Sequence, residues 1–264
     1  MEWVYGWLAP KIIMSFIFNE IIYRPIFNLL VWITNLAPWQ DFGLAIIILT
    51  VLIRLLFMPF SVKTLRSQKI LSQLQPKIKE IQEKFKNDRT AQAQATMALY
   101  QEHQVSPVAG CLPLIVQIPI LFALYRAFAN GLHPESLNLL YSFVKNPGVI
   151  KNISFGFLDL AKNAPVIAVL AGVFQFFHSR FSLAKTTAGN LTPPKNKVGT
   201  GTPPLDFSAM NKQMLYFFPV MIIIIGWRLP AGLVLYWAVS TLFSIFEQIY
   251  INKSSRKITE PSRL

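Results

Sequence analysis

The sequence predicts an all-α polytopic membrane protein built on five transmembrane helices, and three observations lead there. The run from Phe42 to Phe60, FGLAIIILTVLIRLLFMPF, is nineteen residues with a single charge, Arg54. At about 1.5 Å per residue it crosses a hydrocarbon core of roughly 30 Å. Four further apolar runs follow, at 108–129, 164–183, 214–229 and 231–251. The chain is also 53% hydrophobic while carrying a net charge of +13. The two properties separate along the sequence into greasy spans and basic loops, the pattern of a membrane protein.

Residues 1–41 read as an extracytoplasmic segment. Asn19, Glu20, Arg24, Pro25 and Asn28 interrupt what would otherwise be a sixth span. Ile22, Ile26, Leu29, Ile33 and Leu36 fall on one stripe, predicting an amphipathic helix in the outer interface, stopped near Pro38. A spanning helix over 3–18 is the competing reading. Span 42–60 comes next, then a basic segment, 61–107. There Leu71, Leu74, Ile78, Ile81 and Phe85 recur three and four apart and Asn87-Asp88 breaks the run. A second, Ala-rich helix follows, so the segment reads as a cytoplasmic helical hairpin with a kink at Pro76. After span 108–129 and an outer loop, 130–163, span 164–183 leads to a flexible Pro/Gly/Thr-rich loop, 184–213. Spans 214–229 and 231–251 are joined almost directly through Arg228-Leu229-Pro230, and a short basic tail, 252–264, ends the chain.

Loop charges set the orientation. Segment 61–107 holds eight Lys/Arg, 184–213 four and the tail four, against three in 130–163 and two in 1–41. The positive-inside rule puts the amino terminus outside and the carboxyl terminus in the cytoplasm.

No chemistry of an enzyme is visible. There is no G-x-x-x-x-G-K-[ST], G-x-S-x-G or H-E-x-x-H pattern, and the single Cys111 and scattered His103, His133 and His178 suggest no metal site. No cofactor and no catalytic residue are expected.

The informative residue is Arg54, two to three helical turns from water. Arginine at such depth costs roughly 2.5–3.5 kcal/mol and keeps its proton. It either snorkels towards the headgroups beyond Ser61 or sits in a wet, polar cavity inside the bundle. Other polar residues recur at helical spacing: Thr50 one turn before Arg54; Gln117 between Pro113 and Pro119; Gln175 and Ser179 with small neighbours; and Trp237, Ser240, Thr241, Ser244 and Glu247. Small and hydroxyl residues also pack helices together or bond their own backbone, but several such faces beside one arginine favour a shared hydrophilic groove. Glu247 is read as lying too near the end of its span to pair with Arg54, leaving the charge to water. Met214, Phe217, Phe218 and Met221 supply an adaptable apolar wall.

Three segments resemble a known family: VLIRLLFMPFSVKTLRS (51–67), SPVAGCLPLIVQIPILFALYRAF (106–128) and FFPVMIIIIGWRLPAGLVLYWAVST (217–241). They resemble the YidC/Oxa1/Alb3 family of membrane protein insertases, in a short bacterial form without the large periplasmic domain. The resemblance implies a five-helix core around a hydrophilic groove open to the cytoplasm and the lipid. Arg54 matches the family's groove arginine, with Gln175 and Trp237 as groove-lining partners. The hairpin would recruit substrates. Implied partners are nascent membrane proteins and the lipid bilayer, with the Sec translocon, ribosome and signal recognition particle as further candidates. Direct DNA binding is not expected, and the implied location is the bacterial plasma membrane. From the residues alone, a small anion channel or transporter using Arg54 for selectivity, and a passive assembly scaffold, remain open.

Overall fold

The computed structural model describes residues 16–106, 112–129, 134–148, 150–183 and 207–259. The expectations for residues 1–15, for Cys111, for loop 184–206 and for the last five residues fall outside them. Within the described residues the chain is mostly helical, with helices α1 (Arg24–Leu36), α2 (Phe42–Gln73), α3 (Gln75–Lys84), α4 (Arg89–Glu102), α5 (Leu112–Ala129), α6 (Pro165–Leu183), α7 (Phe207–Gly226) and α8 (Ala231–Thr259). A two-stranded antiparallel ribbon, β1 (Ile153–Ser154) and β2 (Leu158–Asp159), lies between α5 and α6. Helix α2 and the Ala231–Ile251 part of α8 are long and apolar enough to cross a bilayer; the apolar stretches Ile115–Phe128, Pro165–Phe181 and Leu215–Gly226 are shorter.

Leu56, Phe122, Val166, Ile224 and Phe246 are all more than half exposed, while Thr50, Ser240 and Glu247 are buried. A water-soluble surface rarely carries so much apolar area; a lipid-facing one must. Helix α6 packs against both α7 and α8, and α2 lies along α8. The main core gathers Phe27, Phe42, Leu124 and Tyr236 from four helices.

The residues of the stripe expected before α2 differ in their exposure. Of Ile22, Ile26, Leu29, Ile33 and Leu36, only Ile33 is fully buried, and Leu29 and Leu36 are exposed, as are Trp32 and Trp39. The face that packs inward is Tyr23, Phe27, Leu30, Val31 and Thr34. Asn28 belongs to the inward face. It is 2% exposed, its Nδ2 donates to the Arg24 and Leu139 carbonyls at 2.8 and 3.0 Å, and its Oδ1 accepts from the Tyr141 amide at 2.6 Å. A buried amide satisfied on three sides ties α1 to the loop that carries Leu139 and Tyr141. Arg24 adds an ion pair with Glu20 and stacks over Tyr141. Arg24 and Asn28 thus dock the loop that carries Leu139 and Tyr141.

Asp41 caps α2. Its Oδ1 accepts from the Leu44 amide at 2.9 Å and its Oδ2 from the Phe155 amide at 2.6 Å, while the buried Ser154 hydroxyl accepts from the Gly43 amide at 2.8 Å. One carboxylate therefore ties the ribbon to the start of α2. Burial opposes its charge, but the amides of Phe155 and Leu44 and the Ser154 hydroxyl outweigh burial and hold the carboxyl below the usual range. A depressed folded pKa means that this link is intact above the ordinary aspartate value of about 3.9 and is lost as pH falls through the lower folded value. Hydrogen exchange at the Phe155 and Leu44 amides is expected to accelerate in that window in wild type but not in Asp41→Asn; equal acid sensitivity in both would exclude the carboxylate as the cause.

Helix α2 does not end near Phe60. It continues through Pro59 to Gln73, so the run beyond the apolar segment begins as the same rigid rod. The break falls at Leu74, and Pro76 occupies the first turn of α3, where a missing N–H costs nothing. A kink inside one helix was expected; a boundary between two is found. Leu74 and Ile78 are buried against Leu99, Tyr100 and Val105, with Leu71 and Ile81 at the margin. Phe85 ends α3 as its C-cap and stands outside this cluster.

Candidate functional site

Two parallel helices build the site. On α2, Arg54 and Ser61 lie seven residues apart; on α8, so do Ser240 and Glu247. Each pairs with its counterpart 186 positions on: Arg54 with Ser240, and Ser61 with Glu247. Seven residues are two turns, about 10 Å of rise, so the helices run side by side in the same direction and in register. Arg54 donates from Nε to the Ser240 hydroxyl at 2.9 Å and from Nη2 to the same oxygen. Its Nη1 lies 4.0 Å from Glu247 Oε2, and that oxygen accepts from the Ser61 hydroxyl at 3.0 Å. The Arg54 side chain keeps 22% exposure while that of Glu247 keeps 3%.

This corrects the expectation for Arg54. Glu247 does reach it, because depth counted from the end of an apolar run ignores that both α2 and α8 continue as helix well past it. The guanidinium is neither left to water alone nor simply snorkelling. A protein carboxylate stands opposite it.

From α5, Gln117 Nε2 donates to the Tyr236 hydroxyl at 2.6 Å. Tyr236 is 2% exposed and lies beside both Ser240 and Arg54. The polar cluster therefore draws on α2, α5 and α8, and Tyr236 and Ser61 join it unforeseen. Tyr236 was overlooked because it sits in an aromatic pair with Trp237. The i, i+7 spacing of Arg54 with Ser61 and of Ser240 with Glu247 was legible, but only the parallel register gives it meaning.

The other expected residues make contacts of their own. Thr50 is 1% exposed and its hydroxyl donates to the Ile46 carbonyl of its own helix at 2.6 Å. Gln175 meets Ser179 one turn on, at 3.4 Å. Thr241 is buried, and Trp237 is half-buried against Ala168, Ala171, Ile222, Val234 and Ala238. On α7, Phe217 is 56% exposed and stands edge-on to the half-buried Phe218, with Met221 half-buried; the Met214 side chain lies outside the described residues.

A bundle that faces lipid with its apolar side chains and encloses an arginine, a glutamate, a tyrosine and their hydroxyl partners is a polytopic membrane protein with an internal polar site. Comparison with known proteins makes this specific. The family model of the 60Kd inner membrane protein matches residues 32–258, and the chain belongs to that family, the insertase family its sequence resembles. A protein of Oceanobacillus iheyensis named membrane protein insertase YidC is 35% identical over 243 residues, 90% of this chain and 84% of its own length. One of Fusobacterium nucleatum with the same name is 33% identical over 213 residues, 81% of this chain and 87% of its own. A relative in Geotalea daltonii, again of that name, is 37% identical over 217 residues, and these make up only 34% of its length.

Proposed function

We propose that this chain is a membrane protein insertase of the bacterial plasma membrane, taking hydrophilic segments of nascent membrane proteins into the polar site around Arg54 and releasing their apolar helices into lipid. The observation that carries the reading is a guanidinium deep in an apolar helix, held by Ser240 and facing Glu247, yet still partly accessible. In this reading five spans, from α2, α5, α6, α7 and α8, enclose a groove open to the cytoplasm, with the amino terminus outside and the α3–α4 hairpin in the cytoplasm.

The physics is a shortened dry path. A polar group drawn through hydrocarbon without a partner costs several kcal/mol, and a wet site part-way across removes much of that distance. Arg54 attracts acidic residues of the segment. A membrane potential positive outside then favours outward movement of each negative charge by about 2.3 kcal/mol per 100 mV. Exposed Phe217 and its aromatic neighbours on α7 offer the departing apolar helix a compliant wall. Clients are nascent membrane proteins; Sec translocon, ribosome and signal recognition particle are partners that this role accommodates and does not require.

The test is insertion of a short single-span client with an acidic tail into liposomes holding only the purified protein. Protection of the tail from external protease above that of empty liposomes is the expected result. Protection equal to empty liposomes would sink autonomous insertion. Ion flux through the same liposomes without any client would favour the channel reading instead.

A further inference from the structure

Among the described residues Glu247 is the one carboxylate within salt-bridge distance of Arg54, and its geometry is not that of a closed ion pair. The 4.0 Å separation is longer than a hydrogen bond. Arg54 directs Nε and Nη2 to Ser240, while Nη1 makes no hydrogen bond among the described residues. On the other side, Glu247 Oε2 is held back by the Ser61 hydroxyl at 3.0 Å, and Oε1 is buried with no hydrogen-bond partner. A bidentate Arg–carboxylate fork would use two guanidinium nitrogens and both oxygens. Here one nitrogen and one oxygen stand apart, each with unused capacity.

Building on the insertase reading, we infer that Glu247 is an internal stand-in for the acidic residue of a client: it balances Arg54 when the site is empty and competes with the client's carboxylate when it is occupied. The consequence is selectivity and release. A client carboxylate gains only the difference between its own pairing with Arg54 and that of Glu247, so acidic segments are preferred over neutral ones yet held weakly. Ser61 sets the balance. By donating to the oxygen that faces Arg54, it draws charge away from the pair and keeps the competitor weak. The site is thus tuned by a residue on the helix that carries the arginine and by one on the parallel helix beside it.

The two substitutions then act in opposite directions, which a purely structural role would not produce. Purified full-length protein in nanodiscs is titrated with two fluorescent single-span peptides, identical except that the tail of one carries two aspartates where the other carries asparagines. The readout is the ratio of their affinities. Glu247→Gln removes the competitor and is expected to raise the preference for the aspartate peptide by about tenfold, equivalent to 1.4 kcal/mol. Ser61→Ala strengthens the competitor and is expected to lower the preference. Arg54→Ala abolishes it, and Glu247→Gln has no further effect on that background. If Arg54→Ala abolishes the preference but Glu247→Gln leaves it unchanged or lowers it, the inference is overturned while the reading of Arg54 stands. A shift in the same direction from Ser61→Ala and Glu247→Gln also overturns it. If Arg54→Ala leaves the preference intact, the electrostatic reading of the site fails and the inference goes with it.

Discussion

Arg54→Ala is expected to lose stability as well as insertion of acidic clients, and the two losses separate on a second substitution. Removing the guanidinium leaves Glu247 with 3% side-chain exposure, an oxygen without a hydrogen-bond partner and no cation within salt-bridge distance among the described residues. Breaking a buried pair by deleting one partner costs about 3–5 kcal/mol, mostly as the penalty on the charge left behind. Arg54 is itself 22% exposed, so water already shares in its neutralisation and the lower end of that range applies. Replacing Glu247 by glutamine in the same protein removes the stranded charge while keeping a donor and an acceptor for Ser61. The double variant Arg54→Ala/Glu247→Gln is therefore expected to recover most of the thermal stability in detergent. It is not expected to recover protease protection of an acidic tail in liposomes. Were Arg54→Ala to unfold at the wild-type temperature, Glu247 would have to be hydrated, and the pair would not be a stabilising element. Recovery of both properties in the double variant would remove the charge of Arg54 from the insertion mechanism.

Gly232→Ala should destabilise the end of the bundle where α8 begins, although alanine is the better helix former. A Cβ at residue 232 would lie 2.5 Å from Phe128 Cε1 and 2.7 Å from its Cζ. That ring cannot swing aside: Phe128 is 4% exposed and stands edge-on to Phe42 at 5.9 Å between centroids. The first turn of α8 is also fixed from behind, by Ala231 and Gly232 amides donating to the Lys162 and Leu160 carbonyls at 2.7 and 3.1 Å. The helix-propensity gain of Ala over Gly is at most about 1 kcal/mol and smaller in a first turn. Overpacking a rigid core costs about 1–3 kcal/mol, so the clash wins. A lower unfolding temperature is expected, with partial recovery in Gly232→Ala/Phe128→Leu, which opens space where the methyl must go. An unchanged unfolding temperature in the single variant would show that α8 can shift outward freely, against the double anchoring to the 160–162 segment.

Composition and periodicity alone decided that this chain is helical, apolar on the outside and basic in its loops. These properties depend on the solvent around each residue: a run of Ile, Leu and Phe as long as 42–60 has no stable place except lipid or a core, and its length is fixed by the bilayer. The three quoted segments likewise carried the family, since they are local strings. The sequence also flagged Arg54, because one charge in such a run is conspicuous without knowing its neighbours.

Tertiary structure decided what Arg54 touches. Ser240 and Glu247 lie 186 and 193 positions away, and only the parallel, in-register packing of α2 on α8 brings them to it. Seen along the chain, Glu247 lies near the end of an apolar run; seen in the bundle, it is level with Ser61 on a helix that continues beyond both. The same holds for α1. Its apolar stripe is local, whereas Asn28 meets, besides the Arg24 carbonyl of its own helix, two backbone groups of a loop more than a hundred residues on. Thr50 shows the converse, a polar residue on the expected face whose hydroxyl closes on its own helix. Periodicity locates a face on a helix. Which neighbour meets that face, and at what level, is set by the relative direction and offset of the helices, and no local string encodes either.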